Sequence, residues 1–175
     1  SSAAMDAPAP APPRAPFALG ILAERYELLG VLGQGGMAVV YHARELAAEP
    51  GGAPGREVAI KVVSSRYAGD VDALRRFARE ARTVAGLDHP NVVRTLAIEE
   101  MGGAAVAIVS EYVRGRTLRA ALRDVGGPLP FDITAATLRD VAAALAYAHA
   151  RGIVHRDVKP ENIFLSADGG RALLA

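Results

Sequence analysis

The pattern of apolar and polar residues divides the chain into a strand-rich first part and a helix-rich second part. From residue 26 onward, short apolar runs alternate with Gly-rich or Pro-rich turns, which is typical of strands joined by tight connections. Among these runs, residues 70–85 carry apolar side chains at helical spacing. The pattern therefore predicts a small, mainly antiparallel sheet with one helix. The predicted strands cover residues 26–36, 37–46, 56–63, 92–100 and 104–113.

After Gly115 the pattern becomes helical. A short amphipathic turn is predicted around residues 118–122. A long helix is predicted over residues 132–150, with Asp132 as its N-cap and Gly152 as its C-terminal stop. Strands followed by helices indicate an α+β fold. The expected buried positions are Val71, Leu74, Phe77, Ala78 and Ala81 in the first helix and Ile133, Thr137, Leu138, Val141, Leu145 and His149 in the long helix.

The bulk composition narrows the possible classes of function. Of 175 residues, 51% are apolar and 22% are charged, and the net charge is +1, which is typical of a folded domain without a strong nucleic-acid or membrane field. The chain has no cysteine, which excludes disulfides and thiolate metal sites. No apolar run reaches the roughly 18 to 20 residues of a membrane helix, and no signal peptide is visible. We therefore expect no nucleic-acid partner, no membrane segment here and a cytoplasmic location, although a later segment could anchor a longer parent protein.

Both ends of the chain predict a fragment of a longer protein. Residues 1–22 are rich in Pro and Ala, which favours a disordered leader without a core of its own. The chain starts at Ser1, and its last residues, RALLA, resemble an apolar strand that no turn signal follows. We therefore expect the parent protein to continue beyond Ala175.

A glycine-rich turn joins the first two predicted strands. Gly33, Gly35 and Gly36 allow the backbone to approach a polyanion and leave N–H groups accessible. Such turns are also common without a ligand, so this feature alone leaves both interpretations open. A dinucleotide-binding fold requires a helix directly after the glycines. Residues 39–41 continue as a strand instead, which argues against an oxidoreductase of that kind.

One lysine lies inside an apolar strand. Lys61 in EVAIKVV needs a partner or a ligand if it is buried, because an unpaired buried charge is very costly. Alternation along the strand allows the other interpretation, in which Lys61 faces solvent. Glu80, on the predicted first helix, is the natural partner, although it could equally be a surface carboxylate among arginines.

The stretch GIVHRDVKPENIFL places reactive side chains between two apolar runs. This pattern predicts a loop that two short buried strands hold rigidly. Asp157 could accept a proton from a hydroxyl, and Asn162 offers an oxygen ligand for Mg²⁺. Lys159 between them could neutralise phosphate charge. A purely structural turn is a poor explanation for this octapeptide of polar groups.

The same stretch resembles a known family of enzymes. HRDVKPEN is similar to the catalytic loop of protein kinases, whose pattern is H-R-D-x-x-x-x-N. In the family's order, GQGGMAVVY resembles the Gly-rich loop, VAIK the strand with the ATP-contacting Lys, Glu80 the Glu of the next helix and VSEYV the hinge. The resemblance implies a two-lobe, kinase-like fold. Its expected parts are a first lobe over residues 23–113, with an antiparallel sheet and one helix, and a truncated helical second lobe over residues 114–175.

The resemblance implies ATP and Mg²⁺ as cofactors and assigns a role to each polar residue. Lys61 would hold the α- and β-phosphates and pair with Glu80. Asp157 would orient the attacking hydroxyl and take its proton, Lys159 would steady the γ-phosphate, and Asn162 would bind one Mg²⁺. The glycines would cover the phosphates.

The resemblance also implies an adenine pocket between the lobes. Its hydrogen bonds would come from the backbone at Glu111 and Val113, and Ser110 would gate the back of the pocket. Its apolar walls would be Leu32, Val40 and Ala59 above the adenine and Phe164 below it.

Further details refine the resemblance. Lys159, two residues after Asp157, resembles serine/threonine kinases, and GGMA followed by VY resembles the bacterial, eukaryotic-like (Hanks-type) members. The expected partner is therefore a protein substrate with Ser or Thr, and a dimer through the first lobe stays open. Ala38 replaces the third Gly of the loop. The family's second metal ligand, the Asp of an Asp-Phe-Gly motif, is expected at or near position 176, beyond this chain.

Two interpretations follow for the function of the chain. The first is part of a serine/threonine kinase that is inactive at this length. The alternative is a non-catalytic module that binds nucleotide or docks a partner. The four polar residues Lys61, Glu80, Asp157 and Asn162 argue for the first.

Overall fold

A curled six-stranded sheet forms the first half of the molecule. The computed structural model describes residues 20–35, 38–47, 55–64, 71–101, 105–168 and 170–175, and the side chain of Ser64 is not described. The sheet order is β1-β2-β3-β4-β6-β5, and each neighbouring pair is antiparallel. The predicted antiparallel sheet is therefore confirmed. Its strands are β1 (Ile21–Leu22), β2 (Tyr26–Gln34), β3 (Val39–Glu45), β4 (Glu57–Ser64), β5 (Thr95–Met101) and β6 (Ala105–Glu111).

The inner face of this sheet forms the largest apolar core. Alternate residues of β3 and β4 point inward, since successive side chains of a strand lie on opposite faces. Tyr26 and Tyr41 are fully buried there, and both contribute large rings to a core otherwise made of aliphatic side chains. The strand β1 also joins this core, because Leu22 is only 3% exposed. The predicted disordered leader over residues 1–22 is therefore too long at its C-terminal end; residues 1–19 lie outside the described part.

The first helix, α1 (Val71–Val84), covers one end of the opposite face of the sheet. Leu74 and Ala78 are buried against Val63 of β4 and Val106 of β6. The predicted helix over residues 70–85 is confirmed within one residue at each end. Its predicted apolar face is right at Leu74 and Ala78, but Val71 is 41% exposed because it begins the helix at the margin of this contact.

A second, three-stranded sheet lies in the other half of the molecule. It consists of β7 (Gly115–Thr117), β8 (Ile163–Ser166) and β9 (Ala172–Leu174), in the order β7-β8-β9. Gly115 is required at its edge, because a Cβ there would lie 2.1 Å from the carbonyl oxygen of Leu165. The strand β8 is the apolar run that was predicted to follow the polar loop. The run before the loop, at residues 153–154, forms no strand.

Two α-helices, α2 (Leu118–Val125) and α3 (Phe131–His149), and one 3-10 turn, Pro160–Asn162, complete the described chain. Thr117 caps α2 by accepting the N–H of Ala120, and Gly126 ends it in the left-handed region at φ 67°. The predicted long helix is confirmed, but Asp132 is not its N-cap. The N-cap is Pro130, which has no side-chain hydrogen bond, and Asp132 lies in the first turn.

The buried face of α3 differs in part from the predicted one. A helix repeats every 3.6 residues, so a series at four-residue steps drifts by about 40° at each step. The series is therefore buried in the middle, at Thr137 and Val141, and exposed at its end, at His149. Leu138 is 66% exposed, a quarter-turn away from the buried face. The buried residues are Thr137, Asp140, Val141, Ala144 and Ala148.

Candidate active site

Strand register brings four of the predicted site residues onto one face of the first sheet. Val40 is paired with Lys61, and Ala59 is paired with Ser110. Residues directly opposite each other in an antiparallel pair share a face, and so do residues two apart in one strand. These four residues therefore line the face opposite to the apolar core, beside the end that α1 covers. Leu32 lies in a bulge of β2 near this face and is 49% exposed.

The structure does not join Lys61 and Glu80. Both side chains are exposed, and within the described residues no ion pair connects them. Lys61 thus lies on the open face of its strand, in agreement with the alternation of the sequence. Glu80 lies on α1, whose contact with the sheet uses Leu74 and Ala78 instead. The predicted pairing of Lys61 with Glu80 is therefore absent from this conformation.

The chain leaves β6 with unpaired backbone groups at the predicted hinge. The N–H of Glu111 donates to the carbonyl of Arg94 at 3.0 Å, so a ligand at Glu111 would have to use the carbonyl. In the described part of the chain, the backbone N–H and C=O of Val113 have no hydrogen-bond partner. A donor and an acceptor on one residue are what the edge of an adenine ring requires. This residue therefore fits the predicted nucleotide contact.

Side chains tie the hinge to the first sheet. Tyr112 stacks on His42 of β3 with a ring separation of 4.3 Å. Arg114 donates to the carboxylate of Glu57 on β4 at 2.8 Å. This hydrogen bond is the main reason that the pKa of Glu57 lies below, and the pKa of Arg114 above, its ordinary value. The sequence reasoning did not identify these contacts, which hold the hinge on both sides of Val113.

The polar loop before β8 gathers two predicted site residues, Lys159 and Asn162, around the carboxylate of a third, Asp157. Lys159 Nζ lies 2.9 Å from Asp157 Oδ1 and 2.7 Å from Oδ2. The side-chain amide of Asn162 donates to Asp157 Oδ2 at 2.9 Å and to the Asp157 backbone carbonyl at 2.8 Å. The hydrogen bond from Lys159, and then the one from Asn162, hold the pKa of Asp157 below its ordinary value. Asp157 is therefore a charged, exposed carboxylate with a fixed orientation.

The amide orientation of Asn162 tests whether the loop could hold a metal ion. Because both hydrogen bonds use Nδ2, the oxygen Oδ1 has no partner among the described residues. An amide oxygen beside a carboxylate is a suitable donor set for Mg²⁺. Asn162 and Asp157 therefore fit the predicted ion. They supply few ligands, because the described part of the chain contains no group of three or more His, Asp or Glu side chains that could bind a metal.

His155 and Arg156 shape the loop in a way that the sequence reasoning did not single out. The N–H of Asp157 donates to His155 Nδ1 at 3.2 Å, so the proton of a neutral ring lies on Nε2. This Nε2 lies 2.9 Å from the carbonyl oxygen of Ala175 and donates to it. Arg156 adopts the left-handed region at φ 64°, which is uncommon for a residue with a side chain. This backbone conformation of Arg156 turns Asp157 back toward His155. In the sequence, only the H-R-D pattern indicated it.

A buried polar network supports the strand that follows the loop. Asp140 of α3 accepts the N–H of Ala172 at 3.0 Å, and Asn91 donates to the carbonyl of Ala172 at 2.9 Å. Asp140 is 6% exposed, and Arg139 also donates to it. Sequence reasoning missed both residues, because Asp140 lies in a helix and Asn91 in a turn. Together they fix β9, which pairs with β8 directly after the loop.

Asp140→Ala is expected to destabilise the fold by about 1–3 kcal/mol, because it leaves the buried N–H of Ala172 without an acceptor. Chemical denaturation of the two proteins measures the difference. Asp168→Ala is the matched control: its carboxylate is exposed in the β8–β9 turn, so its effect should stay within about 0.5 kcal/mol. Equal effects of the two substitutions would show that Asp140 does not support β9.

The structure describes three of the remaining predicted residues, Gly33, Gly35 and Phe164. A Cβ added at Gly33 would meet no atom within 4 Å, and at Gly35 the nearest atom would be 3.9 Å away. Packing of the described chain therefore does not require glycine at either position. The close approach of a ligand, as predicted from the sequence, can explain these glycines instead. Gly36 lies outside the described residues. Phe164 of β8 is partly buried and pairs with Thr117 and Leu173 in the second sheet.

The family described as the protein kinase domain matches residues 26–173. The chain belongs to this family. The predicted resemblance and the two-lobe, kinase-like α+β fold are thereby confirmed. Protein kinases as a family use ATP and a divalent metal, which agrees with the donor groups at Val113 and Asn162.

Bacterial serine/threonine kinases are similar to this kinase chain. A probable serine/threonine-protein kinase of Clostridium perfringens is 40% identical over 149 residues, which are 85% of this chain and 21% of the relative. Serine/threonine-protein kinase PrkC of Bacillus subtilis is 41% identical over 145 residues, which are 83% of this chain and 21% of the relative. The crystal structure of the Mycobacterium tuberculosis PknI kinase domain superimposes with a TM-score of 0.72 at 34% identity, covering 91% of this chain and 62% of that one.

The kinase chain thus spans about a fifth of the length of the first two relatives, whose matched share is 21%. The activity, substrates and partners of the whole protein are accordingly proposals. Among the described helices, none is long and apolar enough to cross a bilayer.

Proposed function

We propose that this chain is part of a serine/threonine protein kinase, which transfers the γ-phosphate of ATP to Ser or Thr hydroxyls of proteins. The observation that carries the proposal is the anionic Asp157, held by Lys159 and Asn162 in an exposed loop. An aspartate is charged at neutral pH, and the hydrogen bonds that lower the pKa of Asp157 favour this charged form, which can orient a hydroxyl.

In the proposed reaction, the hydroxyl oxygen of the substrate forms a bond to the γ-phosphorus, and the bond from that phosphorus to the β,γ-bridging oxygen breaks. The hydroxyl proton passes to Asp157, and ADP leaves with the bridging oxygen. The carboxylate contributes chiefly by position, since phosphoryl transfer depends on alignment and charge neutralisation more than on covalent catalysis. The hydrogen bond from Asn162 orients Oδ2 during this step.

The cations of the site have separate roles in the proposal. Lys159 lies two residues beyond Asp157 and can move from its carboxylate to the transferred phosphoryl group, since both ends of this ion pair are exposed. Lys61 would hold the α- and β-phosphates on the open face of the first sheet. Bound Mg²⁺ supplies charge neutralisation to the phosphates, and Asn162 Oδ1 would be one of its ligands. Because the proposed reaction needs ATP, the location that we propose for the domain is the cytoplasm.

A non-catalytic nucleotide-binding module is the second candidate. The separation of Lys61 from Glu80 favours it, because a kinase needs this ion pair for activity. The same separation also fits an inactive conformation of a catalytic kinase. Binding and transfer therefore have to be measured separately.

The test of this function measures nucleotide binding on this chain and transfer on a chain extended beyond Ala175. Mg-ATP at about 100 times its Kd is expected to stabilise the present chain by about 2.7 kcal/mol. Ala59→Phe should remove the stabilisation, because Ala59 shares a sheet face with Ser110 and Lys61, which the proposal makes the wall of the nucleotide site. Ala142→Phe, on the exposed side of α3, is the matched control.

The extended chain should then transfer labelled phosphate from ATP to Ser and Thr of a generic basic protein. Binding without any transfer would support the non-catalytic module instead. If the chains showed no binding of Mg-ATP and no transfer of phosphate, the result would contradict both candidates.

A further inference from the structure

One histidine extends the sheet face that carries the predicted nucleotide residues. His42 of β3 is paired with Ala59 of β4, so both side chains lie on the same face as Lys61. The ring of Tyr112, in the hinge, stacks on the imidazole of His42 with an angle of 22° between the two planes. His42 is therefore a point at which the first sheet holds the hinge, next to Val113.

The carboxylate of Glu57 lies between His42 and the hinge arginine. Its Oε1 lies 3.4 Å from His42 Nε2, and its Oε2 accepts from Arg114 at 2.8 Å. A glutamate is charged at neutral pH, and the hydrogen bond from Arg114, which lowers the pKa of Glu57, favours this charged form. The ionisable groups that the described contacts place around His42 are thus Glu57 on β4, Tyr112 and Arg114 in the hinge, and Arg44, opposite Glu57 on the histidine's own strand.

One ring nitrogen of His42 is buried without a hydrogen bond. The side chains of His42 and Glu57 are 24% and 26% exposed, so solvent screens their interaction only in part. Nε2 itself is buried and has no hydrogen-bond partner among the described residues, although the carboxylate is near. A protonated ring carries a hydrogen on both nitrogens and a positive charge, so protonation adds an ionic attraction to Glu57. The contact between the two side chains is therefore stronger with the charged ring than with the neutral one.

We propose that His42 is a positioning residue of the nucleotide site: its protonated ring, held between Tyr112 and Glu57, keeps the hinge where Val113 can bind adenine. The proposal rests on the function proposed above, and it makes nucleotide binding depend on pH, because imidazole changes charge near neutral pH. With a neutral ring the hinge is held less firmly, so the binding-competent position is less populated and the apparent affinity falls in proportion. Affinity is thus highest at low pH and decreases as the pH rises through the titration of the ring.

The test titrates the present chain with adenosine in a calorimeter at about pH 6 and about pH 8, on either side of the range in which imidazoles change charge. Adenosine is the probe because it lacks the phosphates of ATP, which themselves gain or lose protons in this range. Its Kd is expected to be about two- to fivefold lower at the lower pH, the factor that one ion pair of this exposure provides. His42→Phe keeps an aromatic ring on Tyr112 but carries no charge, so its Kd should be the same at both pH values.

The ratio of the two Kd values separates positioning from a general effect on folding, because each protein is compared with itself. His149→Phe, at the exposed end of α3, makes the same chemical change and should keep the ratio of the wild type. If His42→Phe fails to fold, Glu57→Gln keeps the histidine and its stack but removes the anion, and it should abolish the pH dependence in the same way.

Equal Kd values of the wild type at the two pH values would overturn the proposal, and so would an unchanged ratio in His42→Phe or Glu57→Gln. Failure of adenosine to bind would also overturn it, because the hinge would then contribute no measurable affinity. Stabilisation by Mg-ATP, measured on the same chain, shows how far such a failure extends. If Mg-ATP still stabilises the chain, only the role of His42 is wrong, whereas loss of this stabilisation would contradict the proposed nucleotide site as well.

Discussion

Asp157→Asn is expected to lower the rate of phosphoryl transfer by about 10²- to 10⁴-fold in a chain extended beyond Ala175. The amide keeps the size of the side chain but cannot accept the hydroxyl proton as a carboxylate does. It also loses the charge that attracts Lys159, whose Nζ lies 2.7 Å from Oδ2. The measurement is transfer of labelled phosphate from ATP to a protein substrate under single-turnover conditions.

Two controls separate this effect from misfolding or loss of nucleotide. Asp132→Asn makes the same chemical change on an exposed carboxylate at the start of α3 and should leave the rate within about twofold, as is usual for surface substitutions. Mg-ATP should stabilise the Asp157→Asn chain as much as the wild type. Full activity in this variant would remove Asp157 from the mechanism.

Lys61→Met is expected to lower transfer by about 10²- to 10³-fold, the usual effect of removing one group that stabilises developing charge. Methionine preserves much of the length and the apolar stem but removes the ammonium that would hold the α- and β-phosphates. The position on the open face of β4, opposite Val40, places the charge on the side of the sheet that faces away from its apolar core. Transfer rates and ATP dependence should be measured together.

The conservative and distant variants make this prediction specific. Lys61→Arg keeps the charge but changes its shape, so its activity should fall between those of the wild type and of Lys61→Met. Arg123→Met removes a cation from the surface of α2 and should have no effect. Retention of activity in Lys61→Met would show that the phosphates are held by another group.

The identity of the cations gives a further reason to place both lysines in the site. Of the 20 basic residues of the chain, only Lys61 and Lys159 are lysines, and all others are arginines. An ammonium is a compact point charge that can move between acceptors, whereas a guanidinium is a planar fork suited to fixed pairs. The structure agrees with this division, since arginines make most of its ion pairs at the surface, and Lys159 contacts Asp157.

Local patterns predicted the elements well where burial and spacing coincide. The strands β2 to β6 and the helix α1 were recognisable because their apolar positions match a core-facing side. The predictions of burial fail where a neighbouring element decides which side of a helix or strand is covered. Leu138 matched the apolar pattern of α3 but faces away from β9, and Leu22 was assigned to the leader although it enters the sheet core.

The candidate site also contains residues that the sequence could assign and residues that it could not. Asp157, Lys159 and Asn162 could be assigned from the sequence because they lie within six residues, so one short loop brings them together whatever the rest of the chain does. Asp140 and Asn91 could not be assigned, since their partner Ala172 is 32 residues from one and 81 from the other. Such contacts exist only after α3, the turn at Asn91 and β9 have packed.

The sequence by itself therefore determined the local chemistry of this protein: a glycine-rich turn, a lysine in a strand and a polar loop with an anionic centre. Only the tertiary structure decided which of these groups meet. Strand register places Lys61, Val40, Ala59 and Ser110 on one face, whereas the docking of α1 through Leu74 and Ala78 leaves Glu80 apart from Lys61. The physical reason is that spacing along the chain governs contacts within a turn or loop, while the burial of apolar faces governs how distant segments lie against each other.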